Sequence, residues 1–153
     1  MNRHALTHLA AALSLVAAAS AASAHHGYGL YYDLCQSVMI EGRVEDVQWT
    51  DPHVWITLAM DDGTRYHAEW TSLRGVANAG VAGRAQDALR AGERVVVTGS
   101  PVRDPALIRA NYPAFKGDPA PRIVSALSRV RLAGGGWSWA RGADANPPPC
   151  AAE

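Results

Sequence analysis

The chain is poor in several things that would each announce a function. It has two cysteines, one phenylalanine and a single lysine, Lys116, in 153 residues. Its 14 basic residues are balanced by 14 acidic ones, and no run of like charge occurs. Nucleic acid demands a basic surface, so the balanced charge makes it a poor candidate partner. No Cys-x-x-Cys is present, so dithiol redox catalysis has no support. The glycines form no Gly-x-Gly-x-x-Gly phosphate cradle. Ser37, Ser72, Ser100, Ser125 and Ser128 lack a nucleophile-elbow context. The apolar run from Leu9 to about Ala22 is Ala-rich and shorter than the ~20 residues that span a bilayer. No internal repeat is visible.

What is there begins with that run. Asn2 and Arg3 make a polar, positive start, and Ala22-Ser23-Ala24 is a small-x-small cleavage site. No cysteine directly follows the run, which argues against a lipid anchor. The expected organisation is therefore a signal peptide at 1–24, a domain at 25–133 and a Gly/Pro-rich tail at 134–153. The product would be periplasmic or secreted, with no membrane span once the signal is removed. In an oxidising compartment the pair Cys35 and Cys150 suggests a disulfide. Closing so long a loop would contribute about 4 kcal/mol in the chain-entropy model.

The domain reads as β. Val38, Ile40, Gly42 and Val44 alternate with polar residues, and the parity then shifts to Val47 and Trp49. A one-residue shift inside a strand predicts a bulge near Glu45-Asp46. A second strand is predicted over 53–60, with Val54, Ile56, Leu58 and Met60 on the core face. His53, Trp55, Thr57 and Ala59 take the other face. A third strand covers 64–70, with His67 and Glu69 opposite its core face. A three-residue Asp61-Asp62-Gly63 turn pairs Leu58 with Tyr66 and Ile56 with Ala68, so that every core residue meets a core partner except at the turn, where Met60 meets Thr64. One or two short helices are expected in 72–89, then strands over 94–99 and 122–132. The stretch 101–121 is expected to be a proline-rich loop. The order β-β-β-α-β-β with a bent first strand predicts an all-β, OB-like five-stranded barrel with a small helical insert. An SH3-like barrel is the alternative, disfavoured by that insert.

The segments AHHGYGLYYD, GRVEDVQWTDPHVWITL and RAGERVVVTG, with Glu69, resemble a bacterial family of small secreted proteins of unknown function. Those proteins look like A-H-H-S-F at the mature start and W-x-N-P-H further on. Here Gly27 stands for the usual Ser and Asp51 for the usual Asn, the 101–121 loop looks longer, and the two cysteines lie outside the pattern. The resemblance covers about residues 24–132. It implies export and an OB-like barrel, and no established activity.

Cleavage after Ala24 would make His25 the N-terminal residue. An N-terminal histidine offers its amine and imidazole as one chelate, and the amine's reference pKa of ~7.7–8.0 lets a metal displace its proton near neutrality. One more imidazole completes a three-nitrogen set that suits Cu(II). By chemical analogy this is the histidine brace of lytic polysaccharide monooxygenases and of periplasmic copper-resistance chaperones. His53, set directly after Pro52, is the candidate third donor, and His26 the local alternative. His67 sits two cross-strand rows from His53, ~13 Å away at ~3.3 Å per residue, too far to share an ion. The competing view is that His25-His26 is an ordinary mature start and His53 a turn residue.

Trp55, His67 and Glu69 form a candidate ligand face for a protein or small molecule. The alternative is that the N-terminal segment, with Tyr28, Tyr31 and Tyr32, covers Trp55. Glu41, Glu45 and Glu69 are expected to be outward and solvated. The reading is an exported, non-enzymatic binding domain, with copper as the possible cofactor; the alternative is a metal-independent adaptor.

Overall fold

The computed structural model describes residues 28–80, 82–111 and 122–141. The elements are α1 (Tyr28–Tyr31), β1 (Val38–Gln48), β2 (Trp55–Ala59), β3 (Arg65–Glu69), α2 (Leu73–Asn78), α3 (Ala82–Ala88), β4 (Arg94–Pro101), α4 (Pro105–Asn111), β5 (Arg122–Leu132) and β6 (Ser138–Ala140). β1 pairs antiparallel with β2 on one side and β4 on the other, and β2 with β3 and β4 with β5 continue the sheet. A parallel contact between β3 and β5 closes the ring. The result is the expected closed five-stranded barrel with few short helices.

β1 explains how one strand serves both halves. Its first half, Val38–Arg43, pairs with β4. Between Val44 and Asp46 the register against β2 slips by one residue, leaving Glu45 as the bulge. The bulge bends the strand and moves the inward parity from Ile40, Gly42 and Val44 to Val47. Gly42 sits at a close approach to β2. A Cβ there would meet Met60 Sδ at 3.0 Å, the Ala59 carbonyl at 3.1 Å and Leu58 Cβ at 3.2 Å.

The β2–β3 hairpin has the register its pattern predicts. Leu58 pairs with Tyr66, Ile56 with Ala68, Thr57 with His67 and Trp55 with Glu69. The Met60 N–H donates to the Thr64 carbonyl at 2.8 Å, and Gly63 takes φ +81 in the turn. A side chain would strain that conformation.

Two elements depart from expectation. The 101–121 stretch is not all loop: α4 occupies Pro105–Asn111, started by Asp104, whose carboxylate accepts the Ala106 N–H at 2.8 Å. Residues 112–121 lie outside the described residues. The tail is not wholly irregular either, because β6 pairs with β5 and inserts Trp139 into the core.

The barrel core holds Ile56, Leu58, Val95, Val97, Leu127 and Val130 with no exposed surface. Trp70, just past β3, packs edge-on against Trp49, Trp137 and Trp139, with ring centroids 6.3, 6.4 and 5.2 Å away. Aromatic rings favour this arrangement because edge and face carry opposite partial charge. Among the described residues no helix is long and apolar enough to cross a membrane.

Leu58→Ala is expected to destabilise by about 2–5 kcal/mol, through lost burial and a residual cavity. A lower urea midpoint with an unchanged slope would show it. Met39→Ala, 70% exposed on the outer face of β1, should stay within about 0.5 kcal/mol. A second expectation concerns pH. The Arg65 guanidinium donates to both Glu45 oxygens, at 2.7 and 2.8 Å, and holds that carboxyl below its ordinary value. A folded pKa below the unfolded one stabilises above the unfolded value, and the effect is lost as pH falls through the folded value. The pair is solvated, so its worth is under about 1 kcal/mol. In a carboxyl NMR titration of Arg65→Met, the Glu45 pKa should move back up towards the ordinary value.

Candidate functional site: a buried carboxylate beneath the N-terminal segment

The outer face of β2 and β3 is where the structure changes the picture most. By strand alternation Trp55, His67 and Glu69 point away from the barrel core. Yet they are only 6%, 9% and 1% exposed. Glu69, expected to be solvated, is among the most buried side chains of the protein. The expected open ligand face is roofed.

The roof is the N-terminal segment together with α4. Tyr32, Trp55, Ile108 and Ile123 form a second apolar cluster, with Tyr31, Leu34 and Val102 packed against it. The segment is fastened to the end of β4 by its backbone. Tyr32 and Val102 form an antiparallel bridge. The Asp33 N–H donates to the Pro101 carbonyl at 2.9 Å and the Arg103 N–H to the Tyr31 carbonyl at 2.8 Å. Arg103 adds a hydrogen bond to the Tyr32 carbonyl at 3.2 Å and an ion pair with Asp33 at 3.5 Å. Trp55 is therefore covered as the tyrosine-rich start suggested, with Tyr31 and Tyr32 as the covering rings.

A buried carboxylate costs several kcal/mol to desolvate unless hydrogen bonds replace its water. Glu69 has them. One oxygen accepts the Tyr32 hydroxyl, and the other contacts Nδ1 of His53. The three residues come from three places: Tyr32 from the segment after α1, His53 from the β1–β2 loop and Glu69 from the end of β3. His53 is the outermost, with its side chain 17% exposed.

The loop that carries His53 is itself pinned. Asp51 and Pro52 are joined by a cis peptide bond. The Asp51 carboxylate accepts the Leu73 N–H at 3.2 Å at the start of α2. Beyond His53, the Val54 N–H donates to the Thr71 carbonyl at 3.0 Å, and Val54 accepts the Trp70 N–H at 2.8 Å. Thus His53 is fixed on both sides in sequence and by Glu69 through its ring.

His67, one row along from the Trp55–Glu69 pair, lies 3.2 Å from the Thr57 hydroxyl through Nδ1. Its partner is the one the register predicted. Of the proposed metal ligands, only His53 falls within the described residues; His25 and His26 lie outside them. Among the described residues no group of three or more His, Cys, Asp or Glu side chains could hold a metal ion. Cys35 is exposed and is not a free thiol; Cys150 lies outside the described residues.

The residue that sequence reasoning passed over is Tyr32, as the hydroxyl partner of Glu69. It was legible only as one of several tyrosines with an aromatic role. Nothing in the spacing of Tyr32, His53 and Glu69 marks them as neighbours, because they meet by folding alone.

No curated protein matches the chain. Residues 10–108, which run through the barrel's first four strands into α4, match DUF6152, a family of unknown function, and the chain belongs to that family.

Proposed function

We propose that the mature protein is an exported, non-enzymatic binding domain that takes one Cu(II) ion. The ligands would be the amine and imidazole of His25 and Nε2 of His53, with His26 as the alternative donor. The observation that supports this is the contact between Glu69 and His53 Nδ1. A metal-binding histidine characteristically gives its second ring nitrogen to a carboxylate or carbonyl, which fixes the tautomer and raises the basicity of the ligating nitrogen. A carboxylate buried to 1% exposure is a rigid partner for that purpose. The donor set fits the tetragonal, nitrogen-rich preference of Cu(II).

The sequence adds two supports. Tyr28, where α1 begins, follows His25 by three positions, and the segment it opens runs along the face that holds His53. The cleavage site after Ala24 would free the His25 amine. Export is part of the proposal, and so is a Cys35–Cys150 bridge, which the absence of a free thiol at Cys35 supports. Bound copper would be cargo or a sensed ion, and the residues described here would hold and orient it. The metal-independent adaptor has less support, since Trp55, His67 and Glu69 are buried and present no open face.

The test is a Cu(II) titration of protein that starts at His25, followed by electron paramagnetic resonance, beside protein carrying one extra N-terminal Met. The expected result is one-to-one binding with three nitrogens that is lost in the Met-extended form and in His53→Ala. Equal, weak binding in both forms would sink the proposal. In Glu69→Gln the affinity should fall about 10–100-fold, the range seen when a partner of a metal ligand is altered. Circular dichroism of the variant would verify that the fold is kept.

A further inference from the structure

Tyr32, Glu69 and His53 form a chain of contacts whose direction can be read. An ionised carboxylate offers acceptors only. The Tyr32 hydroxyl therefore gives its proton to one Glu69 oxygen, and His53 carries a ring proton on Nδ1, the nitrogen that meets the other oxygen. In the neutral ring that leaves Nε2 with the bare lone pair. Tyr32 and Glu69 are buried, so neither partner of the carboxylate is readily exchanged for water.

The chain also joins two parts that can move without the barrel. The apolar cluster of Tyr32, Trp55, Ile108 and Ile123 is distinct from the cluster inside the barrel. The N-terminal segment is held to the end of β4 by the Tyr32–Val102 bridge and by the Asp33 and Arg103 N–H groups. Lifting the segment breaks those bonds and takes the Tyr32 hydroxyl from Glu69, while the strand ladders stay whole. His53 meets the same carboxylate from the β1–β2 loop.

We propose that Tyr32 is a positioning residue for His53, acting through Glu69. With the segment docked, the hydroxyl fixes the carboxylate, and the carboxylate fixes the imidazole with its proton on Nδ1. With the segment lifted, the carboxylate turns to water and the imidazole loses its direction. Docking of the segment and presentation of Nε2 are one event. Such coupling is reciprocal, so whatever holds His53 in place also holds the segment down. One step rests on the copper reading: an ion on Nε2 would be captured under a closed roof, and its capture would keep the roof closed.

Two measurements on the metal-free protein test the coupling, one in each direction. Amide hydrogen exchange at Asp33 and Arg103 reports the docked segment, since their N–H groups bond to the Pro101 and Tyr31 carbonyls. In His53→Ala, which removes neither bond, exchange at both should rise at least ~tenfold while the β1–β4 ladder amides keep their protection. The second measurement reads the His53 ring by long-range ¹H–¹⁵N NMR at a fixed pH above neutrality. The wild-type ring should carry its proton on Nδ1. Tyr32→Phe keeps the aromatic ring and removes only the hydroxyl, and the proton should then redistribute between the two nitrogens. A role in packing alone would leave that signature unmoved.

Exchange at Asp33 and Arg103 within about twofold of wild type in His53→Ala overturns the coupling. So does an unchanged His53 signature in Tyr32→Phe. Cu(II) is the further arm, with exchange followed by mass spectrometry: it should slow exchange at Asp33 and Arg103 in the wild type. Three-nitrogen copper binding with no such slowing overturns the coupling and spares the copper reading. Coupling in the metal-free protein with no copper bound overturns the copper reading alone.

Discussion

The Glu69 carboxylate is the constraint on which the rest of the outer face depends. It sits at the end of β3 with both oxygens engaged, one by the Tyr32 hydroxyl and one by His53 Nδ1. A carboxylate at that depth is tolerated only because those groups stand in for water. The same contacts join parts of the chain that no strand pairing connects. Through Glu69, the segment after α1 and the β1–β2 loop are both referred to the barrel wall. The apolar cluster of Tyr32, Trp55, Ile108 and Ile123 then seals the carboxylate from solvent. Hydrophobic burial favours the roof without fixing its register; the directional hydrogen bonds supply the register.

This division of labour has a functional side. The barrel is rigid, with one core and a ring of Trp contacts at Trp70. A side chain mounted on such a frame holds its direction better than one on a free loop. His53 is on a loop, yet it is clamped by Asp51 to α2, by Val54 to the β3 end and by Glu69 through its ring. That is the kind of support a ligating or recognising imidazole needs.

Two misread segments show where local pattern is a poor guide. Asp104-Pro105 is a helix start in its own right, since Asp accepts the first free N–H groups and Pro fits the first turn. The density of prolines around it masks that signal in a reading by composition. β6 is only Ser138–Ala140, too short for alternation to be visible after three glycines. Trp139 earns its buried place by pairing with Val130 across the strands, a non-local fact.

The sequence by itself determined the barrel. Alternation set which residues of β1, β2 and β3 face inward, the parity change at Glu45 set the bend, and the turn at Gly63 set the hairpin register. These are local properties, because side-chain period and turn geometry act over a few residues. It also singled out His53, Trp55, His67 and Glu69 as one face. Only the tertiary structure decided that this face is closed. Alternation says that Glu69 points away from the first core, and it is silent on whether a second layer lies there. That layer is made by Tyr32 and Ile108, 37 and 39 residues away from Glu69 in either direction, and burial by such distant groups is decided by packing, which strand period does not encode.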